Sequence, residues 1–175
     1  MSWLKLGRAT LRRLVLLPLF GLVTTMVIGA DALHAIKSEG STELMLSAAS
    51  RLTVRVAIGQ ISLSAAYPYK DALLWGGDVG EPPQTVVSSL LVKANDETIV
   101  VPLSAYSDLG NVKTGSLDAT KDGFALNLHG GDTAVSYDAT LIFEHGYLKS
   151  RTVSLRELPE ERREKTSYTF PKAER

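Results

Sequence analysis

The sequence predicts an all-β chain, an antiparallel β-sandwich, entered through an N-terminal signal or anchor segment. Side chains alternate with a period of two from about residue 44 onward. The apolar runs are short and broken by Gly, Asn, Asp and Pro, and no long amphipathic helix is written between them. A small β-barrel is the alternative, because closure leaves the alternation unchanged.

The leader comes first. Lys5, Arg8, Arg12 and Arg13 precede an uncharged apolar run from Leu14 to Ala30, which ends at Asp31. Ala30-Asp31-Ala32 has the A-x-A form read by signal peptidase, and Ala35 marks a second candidate cut. The competing reading is an uncleaved anchor over residues 14–30, at the short limit for a spanning helix. Basic residues on its N-terminal side keep that end in the cytoplasm in both cases and send the rest across. The expected organisation is therefore a signal peptide or membrane anchor over 1–35 and one β-sandwich domain over 36–175. The expected location is the periplasm or cell envelope, with membrane contact only through an uncleaved N-terminus.

Strands follow in order. Ser41–Ser50 is compatible with helix or strand. Arg51–Val56 alternates with Leu52, Val54 and Val56 on one face. Gln60–Ala65 alternates with Ile61, Leu63 and Ala65 inward and Gln60 outward, and Gly59 marks a bulge or a tight connection. Ser88–Ala94 and Thr98–Leu103 flank the polar turn Asn95-Asp96-Glu97 and form a hairpin whose second strand must end by Pro102. Phe124–Leu128 is a further strand. Thr133–Glu144 and Tyr147–Glu157 form a second hairpin through His145-Gly146, with Val135, Tyr137, Ala139, Leu141 and Phe143 toward the core. The return strand groups Arg151 with Val153 and Leu155, but its alternation is imperfect, which places a bulge near Arg151-Thr152. The charged stretch 156–165 reads as a solvated loop or short helix, with Glu161 and Lys165 at helical spacing. Ser167–Phe170 alternates again.

Composition narrows the function classes. The 175 residues carry 19 basic and 19 acidic groups, and residues 36–175 alone carry 15 basic and 18 acidic. Such a balance gives no basic excess for phosphate contacts, so no nucleic-acid partner is expected. The absence of cysteine removes disulfides, thiolate metal sites and cysteine nucleophiles.

Two Gly-Gly-Asp triplets stand out, Trp75-Gly76-Gly77-Asp78 and His129-Gly130-Gly131-Asp132. Gathered at one end of a sandwich, their carboxylates would be oxygen donors of the kind calcium uses. Each loop falls short of the carboxylate count such a site needs, so turn chemistry is the reading and no metal or cofactor is expected. Tyr67, Tyr69 and Trp75 crowd into a proline-containing segment and offer rings for stacking or for packing. The candidate binding set is thus Tyr67, Tyr69, Trp75, Asp78, His129 and Asp132. Catalytic residues are not assignable. No G-x-S-x-G elbow or helical histidine pair occurs, and His129 with Asp132 and Ser104 or Ser136 is a triad on paper only. The expected role is a non-enzymatic binding or accessory module contacting another envelope protein. A periplasmic hydrolase built on the Gly-Gly-Asp loops is the alternative.

Overall fold

The computed structural model describes residues 32–48, 52–63, 74–78, 81–160 and 163–170. They form two antiparallel sheets. The strands are β1 (His34–Ala35), β2 (Gly40–Ser47), β3 (Thr53–Ser62), β4 (Thr85–Ala94), β5 (Glu97–Ile99), β6 (Val112–Ala119), β7 (Gly123–Gly130), β8 (Tyr137–Glu144), β9 (Tyr147–Leu155) and β10 (Arg163–Ser167). One sheet has the order β2-β3-β4-β5 and the other β1-β6-β7-β8-β9-β10. Each is a meander, except that β1 crosses over to pair with β6, His34 opposite Gly115. No strand ladder joins the two sheets among the described residues, so the architecture is the sandwich and not the barrel.

The core follows from parity. Leu44 on β2, Val54, Val56 and Ile58 on β3, and Leu90 and Val92 on β4 point inward from the four-stranded sheet. Phe124, Leu126 and Leu128 face them from β7, with Tyr137, Ala139, Leu141 and Phe143 from β8. Phe124 and Phe143 are cross-strand partners whose rings stack at 4.6 Å. The inward set expected for β8 is therefore observed over 137–143, while Val135 lies before the strand in a single 3-10 turn, Thr133–Val135.

Turn chemistry fixes both hairpins. Asn95 and Asp96 have φ of 49° and 66°, and His145 and Gly146 have 52° and 82°. Both central residues are left-handed in each turn, the pattern whose twist suits a two-residue β-connection. β5 ends at Ile99, ahead of Pro102, as a residue without an amide donor requires.

Two open readings are resolved and three expectations are corrected. Ser41–Ser47 is strand, because Leu44 and Leu46 need one face of β2 to reach the core. Of the two readings of Gly59 the bulge holds and the connection does not: β3 runs on through it, and the register shifts between Gly59, which pairs with Ser89, and Gln60, which pairs with Val87. The extra residue is Ser88 on β4, so β3 keeps its parity, Gln60 is 1% exposed and Ile61 points out. On β9, Ile142 pairs with Ser150 and Phe143 with Leu148, so the bulge falls at Lys149 and not at Arg151-Thr152. The charged stretch 156–165 includes the start of β10, whose five residues pair with Ser150–Ser154. Glu161 lies outside the described residues, and Lys165 sits in a strand and not on a helix. β6 carried no strand expectation at all.

Candidate functional site

Strand directions place residues 76–78, 81–84, 110–112 and 130–137 at one end of the sandwich, and both Gly-Gly-Asp triplets are there. Gly76 and Gly131 have φ of 81° and 73°, and a Cβ on Gly131 would lie 3.1 Å from Gly76 Cα. The two loops touch backbone to backbone, at glycines in both cases. A ring of main-chain and side-chain bonds closes around this point. Asn111, itself at φ 48°, accepts from the amides of Gln84 and Thr85 and donates Nδ2 to the Gly76 carbonyl. Tyr137 donates its hydroxyl to the Gly110 carbonyl, 2.9 Å away, and burial pushes the phenol's pKa up.

The candidate side chains leave this junction in different directions. Trp75 is buried: its ring packs on Tyr137 at 5.9 Å, its amide bonds Asp108, and its indole donates to Glu164. Asp78 turns the backbone, its carbonyl accepting from Glu81. The Asp132 carboxylate is joined to Lys113 on the surface. His129 faces the outer side of the six-stranded sheet, its Nδ1 2.5 Å from Asp138 Oδ1. Tyr67 and Tyr69 lie outside the described residues. Glycine backbones meet, then, but the functional groups of Trp75, Asp132 and His129 are each bound elsewhere.

Asp138 is the centre of a small outer network. Arg156 donates both Nε and a terminal nitrogen to the same oxygen, at 3.0 and 2.8 Å. Partial burial works to raise the Asp138 carboxyl, but bonds from Arg156 and His129, and their charges, outweigh it and hold its pKa below the ordinary aspartate value. One row along, Asn127 joins Asp118 and Thr140. The paper triad is not assembled around Asp132, since the imidazole's carboxylate partner is Asp138.

Sequence reasoning missed the most unusual group in the molecule. Arg151, on the inward face of β9, is 2% exposed. It donates to Asp108 Oδ2 at 2.6 Å and to Glu164 Oε1 at 3.2 Å, while Glu164 also takes the Trp75 indole. Asp108 Oδ1 and Arg151 Nε are buried without a hydrogen-bond partner. Burial raises the Asp108 carboxyl above its ordinary value despite the Arg151 charge beside it. This cluster fastens the 102–110 connection, Trp75 and β10 to one guanidinium. The signal was present in the grouping of Arg151 with Val153 and Leu155, and the Lys149 bulge is what turns that set inward.

Gln60 is the second buried polar clip. Its Nε2 donates to the carbonyls of Lys37 and Val112, and its Oε1 accepts from Val112 N and Thr85 Oγ1. It thereby ties β3 to β6 across the sandwich. Among the described residues no group of three or more His, Asp or Glu is placed to hold a metal ion. Comparison with known proteins finds no matching family model, no significantly similar characterised protein and no significantly similar solved structure.

Proposed function

We propose that this chain is an exported, non-enzymatic β-sandwich of the cell envelope that works by binding another envelope protein. The observation that carries the reading is how the candidate groups are used. Trp75 supports the core, Asp132 is paired with Lys113, and His129 is turned away from the Gly-Gly-Asp junction. With these polar groups already engaged within the chain, the reading assigns contact with the partner to the backbone edges of the sheets or to the stretch 67–85. The leader pattern supports export, and β1 supports the first of its two candidate cuts over the second. Removal through Ala32 leaves His34 and Ala35 to pair with Gly115 and Thr114, whereas a cut after Ala35 deletes the strand. The processed chain is thus expected to begin at Leu33. Cell fractionation with intact-mass measurement tests this, and an unprocessed chain found in the cytosol would overturn it.

One observation favours the second reading, a periplasmic hydrolase. The loops do touch, and His129 carries an orienting carboxylate, the arrangement a general base uses. Ester, amide and glycoside substrates offered to wild type and His129→Ala separate the two readings. Turnover that disappears in the variant would establish the hydrolase.

A further inference from the structure

Among the described residues the sandwich has four sheet edges, and three carry devices that discourage pairing. β1 is two residues long. β5 is three residues long, with Pro102 shortly beyond it. β10 is lined with Arg163, Glu164 and Lys165, and Glu164 is held by Arg151 and Trp75. Short strands, proline and charge are the usual protections of an edge.

β2 has none of them. It spans eight residues, pairs with β3 without a register break, and has no proline, no lysine and one charge, Glu43. Its outward Met45 is 58% exposed. Among the described residues β3 is the only strand that pairs with it.

We infer that β2 is a self-association edge, pairing antiparallel with β2 of a second copy to give a continuous sheet of four strands from each chain. Parity and charge select the register. Inward residues must meet inward residues, or Leu44 and Leu46 would leave the core face. Pairing about Glu43 would set the two Glu43 carboxylates opposite each other, which is repulsive. Pairing about Met45 would leave Glu43 opposite Ser47 with no cation along its row. Pairing about Leu44 sets Leu44 opposite Leu44, Thr42 opposite Leu46 and Glu43 opposite Met45. Within each copy Met45 is in register with Arg55, and Arg55 with Lys93. The row across the junction then reads Lys93, Arg55, Met45, and Glu43 of the second copy. Strands lie about 4.8 Å apart, so Glu43 falls roughly 10 Å from Arg55 at the backbone, within reach of two long side chains over Met45. The symmetry repeats this contact. Backbone bonds and covered apolar surface supply the attraction, and the Glu43–Arg55 relation sets the register.

The test is sedimentation velocity on the protein as recovered from cells, over a concentration series. Wild type is expected as a reversible dimer. Glu43→Arg should weaken it about tenfold or more, because both symmetric contacts turn from attractive to repulsive. Glu43→Arg with Arg55→Glu should restore it, which a fold defect would not. Met45→Lys should give a folded monomer with an unchanged circular dichroism spectrum. A monomer at every concentration would overturn the inference, as would a dimer indifferent to all three variants. Hydrogen exchange decides what covers the edge: β2 protection that persists at monomeric dilution would mean the chain's own residues occupy it, which also overturns the proposal.

Discussion

Replacing Arg151 by alanine is the most informative perturbation of the fold. The guanidinium is 2% exposed and neutralises two carboxylates, of which Asp108 is 28% exposed at the side chain and Glu164 49%. Removing one member of a buried ion pair costs about 3–5 kcal/mol, since the partner stays desolvated without its counter-charge. Asp108 fits that case: it sits deeper, and its second oxygen already lacks a partner. The half-exposed Glu164 regains water, so its share is screened to below about 1 kcal/mol. The expected loss is therefore about 3–5 kcal/mol for Arg151→Ala and under about 1 kcal/mol for Glu164→Gln. Urea unfolding followed by the fluorescence of buried Trp75 reads this directly. With a slope of roughly 1–3 kcal/mol per molar, the Arg151→Ala midpoint should fall by about 2 M. Arg151→Met combined with Asp108→Leu should recover most of the loss, because apolar replacement of a whole buried pair is often neutral or better. A fall in the Arg151→Ala midpoint of less than about 0.3 M would refute the reasoning, for it would mean the guanidinium is solvated.

Gln60→Leu should cost about 2–4 kcal/mol by stranding the Val112 amide and the Lys37 and Val112 carbonyls. Gln60→Glu should cost more at neutral pH and less in acid, because only the protonated carboxyl can donate to those carbonyls. Chemical denaturation at both pH values checks it. Asp138 and Asp108 pull stability in opposite directions with pH. The Asp138 pKa is depressed in the fold, so its contribution is present above the ordinary aspartate value and is lost as pH falls through the folded one. The Asp108 pKa is raised, so stability is lost instead as pH climbs from the ordinary value through the folded one. Denaturation midpoints of Asp138→Asn should accordingly fall less steeply below about pH 4 than those of wild type. Gly131→Ala should lower the melting temperature by about 8 °C or more in calorimetry, since its Cβ would strike the Val135 carbonyl at a positive φ and part the two Gly-Gly-Asp loops.

What the sequence revealed depended on whether neighbours could be ignored. β8 was legible because Tyr137, Ala139, Leu141 and Phe143 alternate without interruption, and both hairpin turns were legible because left-handed residues announce themselves locally. β6 was not, because Gly115 fills an inward slot against Leu44 and Leu128, and an absent side chain gives no apolar signal. The inward turn of Gln60 was hidden for a different reason: the parity of β3 is decided by Ser88, on another strand. The candidate site was legible only in part. The glycine turns of the two Gly-Gly-Asp triplets were legible as turn chemistry, whereas the contact between them is a tertiary fact that turn chemistry does not dictate. The commitment of Trp75 to Glu164 and of His129 to Asp138 depends on strand pairings that no local pattern records.

The stitch made by β1 has a kinetic meaning. Each meander is assembled from chain neighbours and can close as it appears, the first over β2–β5 and the second over β6–β10. His34, however, must wait for Gly115, which arrives only after the whole first meander has passed. Closing so long a loop is slow compared with hairpin formation. Maturation of the protein should thus end at β1, with His34 and Ala35 the last strand residues to acquire amide protection.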